Sequence, residues 1–294
     1  MIEQLLHHKL EWMVHLSQYR TPLWNIFFQF LNYFDSDYFY FVIIPIVWLA
    51  FSWKWGIRVY YLTVLSSLIN YGLKNIFMLP RPCELIPHLN LVHVGEWSFP
   101  SGAAQGAMLF GGLLFYYSKS VWAKIIAILY IFLIGISRVY LGVHYPTDVL
   151  AGWIVGLALL FIFISLDKPI ENCLKKTPFR ITIATLIVIP LILLLIFYYE
   201  AKVSRLAGSA LGIAVGLAFA IPNNVLLPRP KKVWEGIGRS LIGIVGIFFI
   251  YFTLKTFFYA PFLFSTAIQT FIIEIWLSLF ASIVCKVLFK NYKI

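Results

Sequence analysis

Three short stretches in the first half of the chain carry residues that could bind and transfer a phosphoryl group. They are Lys74 with Arg81, then Pro100-Ser101-Gly102, then Ser137-Arg138 with His144 and Asp148. Each stretch lies at or near the end of an apolar segment. If these residues share a site, the apolar segments are membrane helices whose ends meet, because residues this far apart in sequence come together only through the fold.

The three cations are the first requirement for such a site. A phosphate monoester is doubly charged near neutral pH, so its binding site needs several positive charges and backbone donors pointed inward. Lys74, Arg81 and Arg138 supply three charges. Lys and Arg at helix ends also reach toward the membrane surface for purely structural reasons. Their position beside a Ser-Gly helix start favours phosphate binding over that alternative.

The tripeptide Pro100-Ser101-Gly102 is typical of a helix start. Proline fits the first turn, serine is a capping residue, and glycine lets the backbone approach an anion closely. Free amide groups at such a terminus bind phosphate oxygens. Alone, the tripeptide predicts only a helix beginning near residue 102, but the nearby cations favour an anion site there.

His144 and Asp148 have the spacing of a nucleophile and the group that orients it. Three residues separate them, which is one helical turn. The carboxylate can hold one ring nitrogen and leave the other free to attack phosphorus. The alternative interpretation is a loop followed by an Asp N-cap for the next helix.

Taken together, the three stretches resemble the signature of the type 2 phosphatidic acid phosphatase superfamily, which includes membrane lipid phosphate phosphatases and vanadium haloperoxidases. The resemblance covers roughly residues 55–165. It implies a phosphohistidine intermediate at His144, oriented by Asp148 and later hydrolysed by water, with no metal or cofactor required. The residues that it implies for phosphate binding are Lys74, Arg81, Ser101, Gly102 and Arg138.

One position departs from this pattern. The family has Pro-Ser-Gly-His, whereas this chain has Ala103 after Gly102. The missing histidine is the general acid that protonates the leaving oxygen, a contribution typically worth about a hundred- to ten-thousand-fold in rate. Three explanations are open: an inactivating change that leaves binding intact, which we favour; a natural enzyme with another acid; or a natural protein that has lost catalysis. His88 and His93 are candidates for a substitute acid, although ordinary loop polarity explains them better.

The amino-acid composition predicts where in the cell this chemistry takes place. Of 294 residues, 61% are hydrophobic and only 12% are charged, and the mean hydropathy is +0.87. These values exclude a soluble domain and predict an all-α, polytopic membrane bundle. The net charge of +11 does not indicate a nucleic-acid partner, because the Lys and Arg residues sit mostly in short loops. The three widely spaced cysteines indicate neither zinc nor a disulfide framework.

Apolar segments predict about nine membrane crossings. They lie near residues 38–53, 56–77, 102–118, 121–141, 147–166, 179–199, 206–221, 238–255 and 262–286. We expect an amphipathic interfacial segment at 1–36, a catalytic core at 37–166 and additional membrane helices at 167–294. Within the last part, Gly208, Gly212 and Gly216 recur at four-residue spacing, which predicts close helix packing.

The distribution of cations predicts the orientation in the membrane. If these crossings alternate, the cation-rich loops fall on one side, which the positive-inside rule assigns to the cytoplasm. They carry Lys54, Arg58, Lys119, Lys124, Lys168, Lys175, Lys176, Arg180, Arg229, Lys231, Lys232, Arg239, Lys286, Lys290 and Lys293. The three motif stretches fall on the opposite side. The sequence thus predicts a plasma or inner membrane protein whose site faces the periplasm or the exterior.

The resemblance implies an integral membrane phosphatase that removes the terminal phosphate of a lipid phosphate or lipid diphosphate. Family substrates include phosphatidate, sphingoid-base phosphates, phosphatidylglycerophosphate, prenyl diphosphates and lipid A phosphates, and the additional C-terminal helices favour the sphingoid-base phosphates slightly. A non-catalytic lipid-phosphate-binding protein is the alternative, supported by Ala103. A transporter or channel is a third possibility, but the sequence offers no matching pair of discontinuous helices to support it.

Overall fold

The computed structural model describes residues 2–257 and 264–289, and this part of the chain is helical with no strand. Two predicted features extend beyond the described residues: the tail cations Lys290 and Lys293, and the first two residues of the last predicted crossing. The helices are α1 (Ile2–Ser17), α2 (Pro22–Leu31), α3 (Asp37–Pro45), α4 (Trp53–Phe77), α5 (Pro82–Leu85), α6 (Gly102–Tyr117), α7 (Val121–Tyr140), α8 (Pro146–Lys176), α9 (Phe179–Ile196), α10 (Ala201–Ala220), α11 (Val233–Phe257), α12 (Ser265–Ile275) and α13 (Ala281–Leu288). The all-α prediction is confirmed.

Six helical stretches in the described part of the chain are long and apolar enough to cross a bilayer. They are Val121–Tyr140, Pro146–Lys176, Phe179–Ile196, Ala201–Ala220, Val233–Thr256 and Ser265–Leu288. Pro22–Asp35 and Asp37–Phe51 pass the same test together, with a bend of 60° between them. The predicted segments 56–77 and 102–118 form α4 and α6. The chain is therefore a multi-pass helical membrane protein, and the total of nine crossings stays a prediction.

The chain divides into two compact units. The first comprises Met1–Phe39 and Leu65–Lys168, and the second comprises Tyr40–Val64 and Pro169–Ile294. The long helices α4 and α8 contribute to both units. All three motif stretches belong to the first unit, so the residues of the predicted site share one packed body.

Close helix packing in the first unit brings α8 against the start of α6. A Cβ atom built on Gly152 of α8 would lie 2.5 Å from the Ser101 carbonyl oxygen and 3.1 Å from the Ala104 Cβ. Only a residue without a side chain permits this approach, since real Cβ contacts are longer. The bond from the Ser101 amide to the Asp148 carbonyl oxygen, 3.0 Å, joins the two helix starts.

A polar chain inside the first unit joins α4 to α6. The Asn70 amide donates to Gln105 Oε1 at 3.0 Å and to the Pro100 carbonyl oxygen at 3.3 Å. Gln105 in turn donates to Ser66 Oγ at 2.7 Å. All these side chains are buried, so each hydrogen bond compensates for lost hydration. Lys74 follows Asn70 by one helical turn on α4, and this chain therefore fixes its position relative to the start of α6.

The N-terminal segment packs on α7 within the first unit. Phe28 of α2 stacks on Tyr140 with ring centroids 4.1 Å apart, and Arg20 donates to the Leu89 carbonyl oxygen at 3.1 Å. The expected interfacial position of residues 1–36 stays a prediction.

The second unit is built on the small-residue face of α10. A Cβ on Gly208 would lie 2.2 Å from the Ala267 carbonyl oxygen, and one on Gly212 would lie 2.4 Å from the Phe271 carbonyl oxygen. Gly216 faces Ser278 in the same way. The packing role predicted for this glycine series is confirmed.

Candidate active site

The three motif stretches meet in the first unit. Arg81 Nη1 lies 3.2 Å from His144 Nε2, and Asp148 Oδ2 lies 3.4 Å from His144 Nδ1. Lys74 is joined to the same cluster by the segment 96–98, since its Nζ donates to the Trp97 carbonyl oxygen at 2.7 Å. Residues separated by up to 74 positions thus form one buried cluster.

The turn between α7 and α8 presents His144. Gly142 has a φ of +76°, and a Cβ there would lie 2.2 Å from the Leu89 carbonyl oxygen, so the turn requires glycine. The amide groups of Val143 and His144 both donate to the Arg138 carbonyl oxygen, at 3.2 and 3.3 Å. Backbone bonds therefore hold the imidazole at the end of α7, and a proline at residue 146 starts α8 directly afterward.

The His144 ring is neutral and oriented. Arg81 can only donate, so the 3.2 Å contact makes Nε2 an acceptor and places the ring proton on Nδ1, toward Asp148. Burial lowers the pKa of His144 to about 3, and the charges of Arg81 and Lys74 add to this effect while Asp148 opposes it. The imidazole thus holds a lone pair on Nε2 at neutral pH, as a nucleophile requires.

Asp148 is held in turn by two donors that fix its carboxylate. The Tyr145 amide donates to Oδ2 at 3.0 Å, and the Ser98 hydroxyl donates to the same oxygen in a short hydrogen bond. Ser98 Oγ also lies 3.4 Å from His144 Nδ1. Sequence reasoning missed Ser98, because a lone serine in a loop carries no signal; its position two residues before Pro100 was the only available hint.

Lys74 and Arg81 are buried cations, 4% and 2% exposed. Arg81 Nε donates to the Glu96 carbonyl oxygen in a short bond, and its Nη1 donates to the Val143 carbonyl oxygen at 2.9 Å. Lys74 Nζ also lies 3.4 Å from the Glu96 carboxylate. Burying two cations that contact the same short segment costs free energy unless an anion compensates for it. Their arrangement is suited to an anionic ligand.

Arg138 has different contacts from the other two cations. Its Nη1 donates to Asn32 Oδ1 at 2.8 Å and lies 3.4 Å from Asp35 Oδ2, while its Nε donates to Ser137 Oγ at 3.0 Å. Its Nη2 is buried and has no hydrogen-bond partner among the described residues. Two of its nitrogens are thus occupied by structural contacts, and Nη2 is the one with donor capacity left for a ligand.

Ser101 and Gly102 begin α6 as predicted. Ser101 caps the helix, since its Oγ accepts a hydrogen bond from the Ala104 amide at 3.4 Å. A Cβ on Gly102 would lie 3.1 Å from Asn70 Oδ1. The next residue, Ala103, is 6% exposed and belongs to an apolar cluster with Val143, Leu141 and Ala107. Position 103 therefore supplies no group that can transfer a proton.

Comparison with known proteins identifies the family. The model of the PAP2 superfamily matches residues 55–170, and the model described as the PAP2 superfamily phosphatase, transmembrane extension, matches residues 204–293. The bacitracin transport permease protein BcrC of Bacillus licheniformis is 31% identical over 146 residues, which are 46% of this chain and 70% of that protein. This chain belongs to the PAP2 superfamily.

Characterised relatives of this PAP2 protein are membrane lipid phosphatases. Phosphatidylglycerophosphatase B of Bacillus subtilis is 38% identical over 124 residues, which are 38% of this chain and 57% of the relative. The crystal structure of a transmembrane PAP2 type phosphatidylglycerolphosphate phosphatase from Bacillus subtilis is 27% identical, with a TM-score of 0.49, over 60% of this chain and 90% of that one. The chain spans about half the length of the first curated relatives that it matches.

Proposed function

We propose that this PAP2 protein is an integral membrane phosphatase that removes a terminal phosphate from a lipid phosphate or lipid diphosphate through a phosphohistidine at His144. One observation carries the proposal. His144 is a buried, neutral imidazole whose Nε2 contacts Arg81 and whose Nδ1 faces Asp148. That arrangement suits nucleophilic attack on a phosphate bound by the adjacent cations.

The proposed reaction has two steps. Lys74, Arg81 and Nη2 of Arg138 bind the phosphate oxygens together with the amide groups at the start of α6. Nε2 of His144 attacks phosphorus, and Asp148 stabilises the imidazolium that forms. Water then attacks the phosphohistidine, which releases inorganic phosphate and restores the neutral ring. No cofactor takes part in this scheme.

Ala103 is expected to impair the first step. An alkoxide is a poor leaving group, and without the family histidine to protonate it its departure is slower. A diphosphate substrate suffers less, because the phosphate that leaves is already a stable anion. We therefore expect this chain to be a weak phosphomonoesterase and a relatively better diphosphatase.

We expect the substrate to be a lipid and the site to lie at the external face of the membrane. The site lies among the ends of apolar helices, where a headgroup can enter while the tail stays in the bilayer. The named activities of the relatives support a lipid phosphate, and the cation-rich loops support a site that faces the periplasm or the exterior.

The test is phosphate release from a panel of lipid phosphates and diphosphates. We expect Ala103→His to raise turnover of phosphomonoesters by about tenfold or more over the unaltered chain. Adding His144→Ala should abolish release while lipid binding persists. Turnover that survives His144→Ala would rule out a phosphohistidine at His144. Lipid binding without turnover in any variant would instead establish a non-catalytic lipid-phosphate-binding protein.

A further inference from the structure

The proposed reaction leaves open which group protonates the leaving alcohol. Position 103 holds a methyl group packed among apolar side chains, so the proton must come from elsewhere in the site. A suitable donor must reach the oxygens of a phosphate bound by Lys74 and Arg81 without displacing His144. The acidic groups beside those two cations are the natural candidates.

A pocket of about 300 Å³ opens beside Lys74 and contains two such carboxylates. They belong to Glu84 and Glu96, and Tyr71 and Trp97 form part of the wall around them. The Glu84 carboxylate is engaged in capping α5, since its Oε2 accepts a hydrogen bond from the Arg81 amide at 3.0 Å. The Glu96 carboxylate instead lies 3.4 Å from Lys74 Nζ, on a cation of the phosphate site itself.

The main chain around Glu96 ties it to both cations. Arg81 Nε donates to the Glu96 carbonyl oxygen, and Lys74 Nζ donates to the carbonyl oxygen of the next residue. Arg81 uses a different nitrogen, Nη1, to contact His144. The Arg81 guanidinium therefore contacts both the nucleophile and the main chain of Glu96, which places Glu96 beside the phosphate that the two cations would bind.

We propose that Glu96 is the general acid of this PAP2 protein, in the role that the family histidine would have at position 103. This inference rests on the phosphatase function proposed above. The Glu96 side chain is 39% exposed and can turn toward a bound substrate. The negative charge of a phosphate bound to Lys74 favours the protonated form of a carboxyl group beside it.

The proposed proton transfers balance across the two steps. As His144 Nε2 forms its bond to phosphorus, the bond from phosphorus to the alcohol oxygen breaks and its electron pair takes the Glu96 proton. In the second step, the Glu96 carboxylate accepts a proton from the attacking water. The bond between phosphorus and nitrogen then breaks and its electron pair returns to Nε2. The net reaction converts ester and water into alcohol and phosphate.

The experiment compares Glu96→Gln with the unaltered chain on two substrates that differ in their leaving group. One is a short-chain phosphatidate, whose alkoxide needs a proton, and the other is 4-nitrophenyl phosphate, whose nitrophenolate leaves without one. We expect Glu96→Gln to lower kcat for the phosphatidate by about a hundredfold and to change kcat for the aryl ester less than about threefold. Glu11→Gln, the same change at an exposed position of α1, is the control and should change neither.

A second variant tests whether the loss in Glu96→Gln is due to the missing proton donor. In an Ala103→His background, Glu96→Gln should cost much less on the phosphatidate, because the histidine supplies the proton. Equal losses on both substrates, or no loss on either, would overturn the assignment of Glu96. If the unaltered chain cleaves only the aryl ester, in a manner that His144→Ala abolishes, the Glu96 assignment fails and the phosphatase function stands. If no variant cleaves either substrate, the proposed function itself fails.

Discussion

Within the site, each nitrogen of His144 has one neighbour that sets its role. Arg81 approaches Nε2 and can only donate, while Asp148 approaches Nδ1 and accepts. Burial keeps the ring neutral, with a pKa of about 3. The Nε2 atom therefore carries no proton before a substrate arrives, and attack requires only that Arg81 turn its hydrogen bond from Nε2 to the phosphate.

Asp148→Asn tests whether Asp148 orients the imidazole of His144. The amide can still accept hydrogen bonds from Tyr145 and Ser98, so we expect the fold and the KM for a lipid phosphate to change little. The negative charge that stabilises the imidazolium is lost, however, and an amide turned to present its NH₂ group to Nδ1 would place the ring proton on Nε2 and block attack. We expect kcat in the Ala103→His background to fall by about a thousandfold or more. Steady-state kinetics with a parallel Tm measurement check this.

Ser98→Ala in the same background is the graded comparison. It removes one donor to Asp148 and leaves the carboxylate in place, so its loss in kcat should be clearly smaller. An unchanged rate in Asp148→Asn would remove Asp148 from the catalytic site.

Helix packing fixes the distances between the residues of the site. The start of α6 is held on two sides, by α8 at Gly152 and by α4 through Asn70 and Gln105. One side depends on the absence of a side chain and the other on a set of buried hydrogen bonds. The cations of α4, the amide groups of α6 and the nucleophile before α8 keep a fixed separation as a result.

Gly152→Ala tests this packing at the level of the helices. The added methyl group would meet the Ser101 carbonyl oxygen at 2.5 Å, so α6 must move away from α8. Overpacking of this kind typically costs about 1–3 kcal/mol. We expect a lower Tm in detergent and a lower kcat, because the amide groups near Ser101 shift relative to His144.

Gly72→Ala on α4 is the matched control. A Cβ at Gly72 would have no neighbour within 4 Å, and alanine favours helix by up to about 1 kcal/mol relative to glycine. Its Tm should be equal or higher, with activity unchanged. A Gly152→Ala protein as stable and active as the Gly72→Ala protein would show that the contact between α6 and α8 does not hold the site.

The whole chain combines a catalytic family segment with additional membrane helices. The two family models match separate regions, residues 55–170 and 204–293. The second unit has its own tightly packed centre along α10, where small residues face α12. Among the described residues, the proposed chemistry uses side chains of the first unit. The orientation of that unit in the membrane therefore decides on which side the substrate is hydrolysed.

Cysteine labelling tests that orientation in whole cells. In a background with Cys83 and Cys173 replaced by serine, His93→Cys should react with a membrane-impermeant thiol reagent before lysis. Lys119→Cys, on the predicted cytoplasmic side of the same unit, should react only after lysis. Both positions are exposed, whereas the remaining Cys285 is buried. The reverse pattern would place the site in the cytoplasm.

The sequence alone determined the family, the helical membrane architecture and the residues with chemical capability. These follow from local properties: apolar length predicts membrane helices, and the identity and spacing of Lys74, Arg81, His144 and Asp148 indicate phosphoryl chemistry. The capping role of Ser101 was predictable for the same reason, because it depends only on its own turn.

Only the tertiary structure decided how these groups are engaged. It placed Ser98 on Asp148, tied Glu96 to Lys74 and Arg81, and gave Arg138 structural partners in Asn32 and Asp35. None of these contacts is a local property, because each joins segments whose separation in space depends on how several helices pack. A carboxylate or hydroxyl in a loop acquires a role only when the fold sets what lies within about 3 Å of it.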